Sequence, residues 1–127
     1  MLVVAASALF EVLLETEIGA RIGARLFAAG ETLHAPDLSD LECAQVFRRH
    51  VQAAAISATR AAEALDDLAN LPLTRYPHDI LLPRIWELRH ALSAYDAAYL
   101  ASAEILDAPL VTRARALAAS HVRVELF

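Results

Sequence analysis

The chain opens on an unbroken apolar run, Leu2-Val3-Val4, and stays almost wholly apolar until Glu11. A short run of this kind reads as a buried strand. Ser7 stands where a helix cap belongs, ahead of a helix predicted from Ala8 to Leu14. A second helix is expected from Glu17 to Ala28, because Ile18, Ile22, Arg25 and Leu26 fall at helical spacing and Gly30 closes it. Thr32-Leu33-His34-Ala35 reads as another strand, stopped by Pro36. Ser39 is expected to cap a helix reaching Gln52, its buried side marked by Leu41, Ala44, Val46 and Phe47. Ser57 opens a further helix to about Ala69, and Leu71-Pro72-Leu73-Thr74 makes a third extended segment. Helices follow at Ile80 to His90 and Ala94 to Leu106. A strand at Leu110-Val111, a short helix near Ala116 and a strand at Val122-Arg123-Val124 end the pattern.

Strands alternating with helices imply right-handed crossovers and a mainly parallel sheet covered on both faces. The expected class is therefore α/β: three layers, helix-rich, around a short sheet of roughly four or five strands. In such sheets the active site lies beyond the carboxyl ends of the strands, near the point where strand order reverses. No repeat, linker or low-complexity run divides residues 1–127, which read as one domain.

Composition narrows the functional classes. An apolar content of 57% with 21% charged residues describes a folded globule. Net charge is −5, so the protein as a whole repels nucleic acid, and any RNA contact must use a local arginine patch. All basic residues are arginine, which with the heavy use of alanine reads as a composition bias of the genome. Cys43 is alone, which excludes an internal disulfide and fits a reducing compartment. The apolar start is shorter than the about 20 residues a membrane span needs and carries no basic flank before Arg21. A cytoplasmic protein without a membrane segment is expected. The five histidines form no zinc motif, and no glycine follows the first strand to cradle a nucleotide phosphate. Gly19 and Gly23 have GxxxG spacing, on a helix too amphipathic for a membrane dimer.

Two acids stand out, Glu42 and Asp96. Ser39-Asp40-Leu41-Glu42 and Ser93-Ala94-Tyr95-Asp96 each match a capping box, in which the acid bonds back to the cap. Read as a pair, they are carboxylates at two helix starts that the fold gathers at one sheet end. The macrodipole keeps a carboxylate there ionised and suited to a hard cation. Cation-assisted phosphodiester hydrolysis needs several such oxygens in one place. Near two other strand ends, the chain has Ala5 and Ala114. Trp86, Tyr95 and Tyr99 lie close in sequence; core packing is the simpler reading, base stacking the alternative.

Four segments in order carry a resemblance: Val3-Val4-Ala5-Ala6-Ser7-Ala8-Leu9; Leu41-Glu42-Cys43-Ala44-Gln45-Val46; Tyr95-Asp96-Ala97-Ala98-Tyr99-Leu100 with Ala103-Glu104; and Leu110-Val111-Thr112-Arg113-Ala114. Across essentially its whole length the chain resembles a PIN-domain ribonuclease, specifically the VapC-type toxin of bacterial toxin–antitoxin pairs. The resemblance implies a PIN-like fold, an acidic site holding Mg²⁺ or Mn²⁺, RNA hydrolysis, a small antitoxin partner, and homodimers or toxin–antitoxin hetero-oligomers. Glu42 and Asp96 match family acids directly. The first family acid, a principal metal ligand, falls on Ala5, and the fourth falls on Ala114. Half of the acidic cage is thus missing, which implies weak Mg²⁺ binding and little or no nuclease activity. Alanine placed to silence a toxin, and natural decay into a pseudo-enzyme kept for binding antitoxin or RNA, both fit. The resemblance also assigns Ser7 and Thr112 supporting hydrogen bonds, beside their simpler reading as helix caps. Arg113, Arg115, Arg84 and Arg89 are candidate phosphate contacts, each with a surface ion-pair reading beside it.

Overall fold

The computed structural model describes residues 1–127. Five strands form one sheet: β1 (Leu2–Val4), β2 (Leu33–Pro36), β3 (Leu73–Tyr76), β4 (Leu110–Thr112) and β5 (Val124–Leu126). Their order is β3-β2-β1-β4-β5 and every neighbouring pair is parallel. Central β1 is wholly buried, which is why its run shows no polar alternation. From β1 the chain builds outward through β2 to β3, then returns to place β4 on the other side of β1. The reversal between β1 and β4 defines the switch point, and Ala5 and Arg113 leave the carboxyl ends of those two strands.

Helices cover the sheet in two layers. On one side α6 (Ala94–Leu106) lies against β1, β2 and β4, with α5 (Leu82–Glu87) outside it. Every residue of α6 from Ala97 to Ala103 is buried, because its alanines let the helix approach the strands closely. The other layer gathers around α1 (Ala6–Leu13), which touches α2 (Glu17–Leu26), α3 (Leu38–Gln52), α4 (Ala58–Asn70) and β4. Gly19 permits the tightest of these contacts: a Cβ there would stand 2.1 Å from the Glu11 carbonyl oxygen. That is the physical use of the first glycine in the GxxxG spacing, and it joins two helices of one chain.

The local signals set several boundaries. Ser57 caps α4 by accepting from the Arg60 N–H at 3.0 Å, and Ser93 caps α6 by accepting from the Asp96 N–H at 3.2 Å. Other expectations are corrected. Helix α1 starts at Ala6, directly after β1, with Ala5 at the cap position and no side-chain cap. Ser7 therefore lies in the first turn, and its hydroxyl turns toward β4. Ser39 does not cap α3 either: Asp37 occupies that position, and the Ser39 hydroxyl is buried without a partner. The Leu38 N–H instead donates to Nε2 of His78, at 2.9 Å. Pro36 ends β2 from within, and α2 stops at Leu26, with Gly30 in a left-handed turn beyond it. Helix α5 is shorter than expected. The last strand lies two residues later than predicted, where Arg25 on α2 holds Glu125 through a two-pronged contact at 2.7 and 3.0 Å.

Candidate active site

The first turn of α1 is the meeting point of the site. Tyr99, 2% exposed on α6, donates its hydroxyl to Oε1 of Glu42 at 2.7 Å. The phenol oxygen in turn accepts from the Ala6 N–H at 3.2 Å. One phenol thus ties α3 and α6 to the residue after Ala5. On the β4 side, the Ser7 and Thr112 hydroxyls lie 3.2 Å apart. Ser7 Oγ also accepts from the Arg113 N–H, and Thr112 Oγ1 accepts from the Ala114 N–H, each at 3.0 Å. Neither residue is an α-helix cap; together they splice the end of β4 to α1. Positions 5, 42 and 114 are joined by this mesh.

Asp96 completes the group through its charge. Burial pushes the Glu42 carboxyl up from its ordinary range, the Tyr99 hydrogen bond pulls against that, and the negative charge of Asp96 raises it further. Asp96 is itself pushed up by burial. Glu42 gives its oxygen to Tyr99 rather than closing a capping box. Asp96 does receive half of one, since Ser93 accepts from its backbone N–H. At the two remaining positions the side chains are methyl groups: Ala5 is 3% exposed and Ala114 packs against the core.

The donor set decides what this center can hold. No group of three or more His, Cys, Asp or Glu side chains is placed to bind a metal ion. Glu42 and Asp96 are near enough for the charge of one to raise the pKa of the other, and one oxygen of Glu42 is already engaged by Tyr99. Such a pair does not fit a divalent cation held firmly enough to orient a nucleophile.

The arginines separate by their partners. Arg84 is held by Glu104 and Glu87, and Arg113 is ion-paired with Glu11. Arg89 places its guanidinium over the Trp86 ring, 4.8 Å from the centroid, and donates to the Trp86 carbonyl. Arg115 is exposed, with no carboxylate partner. Core packing holds for Tyr99 alone among the three aromatics: Trp86 is 68% and Tyr95 64% exposed.

Beside the acids runs a groove of about 500 Å³ lined by Phe10, Leu41, Glu42, Gln45, Val46, Arg49 and Tyr95, among others. Gln45 and Arg49 are groove residues that the sequence patterns did not single out. A signal for them does exist in the chain: Glu42, Gln45, Val46 and Arg49 are spaced i, i+3, i+4, i+7, which places them on one face of α3.

An open, all-parallel five-stranded sheet with helices on both faces defines a three-layer α/β protein. The PIN domain model matches residues 2–119 of this chain. Ribonuclease VapC9 of Mycobacterium tuberculosis is 47% identical over 89 residues, covering 70% of each protein. Ribonuclease VapC12 of the same organism is 37% identical over 121 residues, 95% of this chain and 92% of the relative. Among solved structures, PAE2754 from Pyrobaculum aerophilum superposes with a TM-score of 0.72 at 23% identity, over 97% of this chain and 81% of its own. Mycobacterium tuberculosis VapC20, a toxin described as cleaving the sarcin-ricin loop, gives 0.61 at 19% identity over 87% of both. The chain belongs to the PIN-domain family, in its VapC ribonuclease toxin branch.

Proposed function

We propose that this chain is a VapC-type toxin with its RNA-cleaving center disabled, retaining the capacity to bind antitoxin or RNA. The observation that carries the reading is the pair of methyl groups at Ala5 and Ala114, set where the hydrogen-bond mesh joins β1, β4 and α1. In the family's full site, four acids would hold Mg²⁺ or Mn²⁺, which would activate water and neutralise the leaving oxygen. Here Glu42 and Asp96 remain, and they bind such an ion weakly. Cleavage is slow or absent for that reason. The roles assigned to Ser7 and Thr112 are to keep α1 and the β4 end in register. Among Arg84, Arg89, Arg113 and Arg115, only Arg115 is free of both a carboxylate partner and an aromatic contact, so phosphate contact is assigned first to it.

The binding reading has its own support. The Tyr99 clasp, the groove and the packing of all three layers stand without the missing carboxylates. The partner is a cognate antitoxin whose basic side chain would neutralise Glu42 and Asp96. Homodimers or toxin–antitoxin hetero-oligomers formed in the cytoplasm complete the proposal, with residues 1–127 acting as one domain. No helix is long and apolar enough to cross a membrane.

The test is a cleavage assay on RNA across a Mg²⁺ and Mn²⁺ series. The parental chain is expected to be silent, and the Ala5→Asp/Ala114→Asp variant is expected to cut. Metal-dependent cleavage by the parental chain, lost on Asp96→Ala, overturns the disabled-center reading.

A further inference from the structure

We infer that the groove beside the acids is a nucleotide subsite, in which Tyr95 stacks an unpaired RNA base, Gln45 reads its edge and Arg49 holds the adjoining phosphate. The inference rests on the RNA-directed reading above and specifies where the strand sits. Tyr95 precedes Asp96 and stands 64% exposed at the start of α6. Its ring borders two depressions, the acid-side groove and a second lined by Leu38, His78, Leu82 and Ile85. A ring left this open would lose contacts in a finished core, whereas it offers a face to a planar partner.

The rest of the groove has the matching chemistry. Gln45, exposed one turn along α3 from Leu41, carries both a donor and an acceptor, as a base edge requires. Arg49, a further turn along, is exposed and has no carboxylate partner, unlike Arg84 and Arg113. A free guanidinium on an otherwise acidic protein is a local attraction for one phosphate. Phe10, Leu41 and Val46 supply apolar walls, and a volume of about 500 Å³ lies within the range of small-ligand sites. Glu42 also lines the groove, but none of the three assigned contacts uses it, so the subsite holds RNA whether or not the center can cut it.

Fluorescence anisotropy with labeled single-stranded RNA of about ten nucleotides tests the inference on the chain as it stands. Tyr95→Ala is expected to weaken binding by roughly 5- to 100-fold, and Tyr95→Phe to retain it, because only the ring is needed. Arg49→Ala is expected to lower the slope of log affinity against log salt by about 0.7, the share of one phosphate on a single strand. Gln45→Ala is expected to flatten the preference among the four homopolymers. RNA binding that ignores Tyr95 overturns the subsite alone, and if Tyr95→Ala also abolishes self-association in sedimentation, the face is a contact between chains. Absence of RNA binding by the parental chain overturns both the subsite and the RNA-directed reading.

Discussion

Replacing Tyr99 by phenylalanine removes one oxygen and leaves the ring in place, so it isolates the clasp from the packing around it. Two contacts are lost. The donor to Glu42 serves a carboxylate, and such bonds contribute about 1.5–3 kcal/mol; Glu42 is only partly buried, which places the loss toward the lower end. The Ala6 N–H, in the first turn of α1, then has no acceptor, at a further cost of about 1–3 kcal/mol. Together the substitution is expected to remove about 2–4 kcal/mol, a large share of the about 5–15 kcal/mol that holds a typical domain folded. Urea denaturation at pH 7 reads this directly as a lower midpoint with an unchanged slope. The loss carries a pH signature. The Tyr99 hydroxyl stabilises the charged form of Glu42, so its contribution is full where that carboxyl is ionised and shrinks as pH falls through the Glu42 pKa. At low pH the remaining deficit comes mainly from the Ala6 N–H. In a Glu42→Gln background the substitution should also cost less, since the bond to a neutral amide is weaker. A loss below about 0.5 kcal/mol at pH 7, or one independent of pH, refutes the clasp.

Four further substitutions probe the surroundings. Glu42 is held above its ordinary pKa, so the folded state binds this proton more tightly than the unfolded chain, and stability falls as pH rises from the ordinary glutamate range through the raised value. Glu42→Gln should accordingly melt above the parent at pH 7, with the gap closing as pH falls; a gap constant with pH counts against the assignment. Ala5→Asp adds a third carboxylate to a crowded pair, and should lower the melting temperature without Mg²⁺ and recover it with Mg²⁺. Unchanged melting under both conditions argues that residue 5 does not face the acids. Gly19→Ala drives a methyl into the Glu11 carbonyl and should destabilise by about 3 kcal/mol or more. Gly23→Ala meets only side-chain atoms at 3.9 Å and should be neutral or stabilising by up to about 1 kcal/mol; similar thermal shifts for the two variants would contradict the close helix approach.

Features written within a turn or two of chain are legible in the sequence alone. Ser93 and Ser57 cap their helices because a hydroxyl and the N–H three residues on are fixed by local geometry. The bounds of α6, the buried β1 and β4 runs, and the parallel α/β class follow from periodicity and alternation in the same way. The methyl groups on which the proposed loss of ligands rests are equally plain in the sequence, since no folding turns Ala5 and Ala114 into oxygen donors. Only tertiary structure brings Tyr99 to Glu42 and Ala6, 57 and 93 positions away in sequence. The same holds for His78 replacing Ser39 at the start of α3, and for Arg25 fixing the register of β5 through Glu125. It also leaves Tyr95 and Trp86 exposed, where their spacing suggests core positions. The reason is directional: the sequence states which residues share a helix face, but which faces meet depends on the crossovers, and a side chain's partner is chosen by the element that packing brings opposite it.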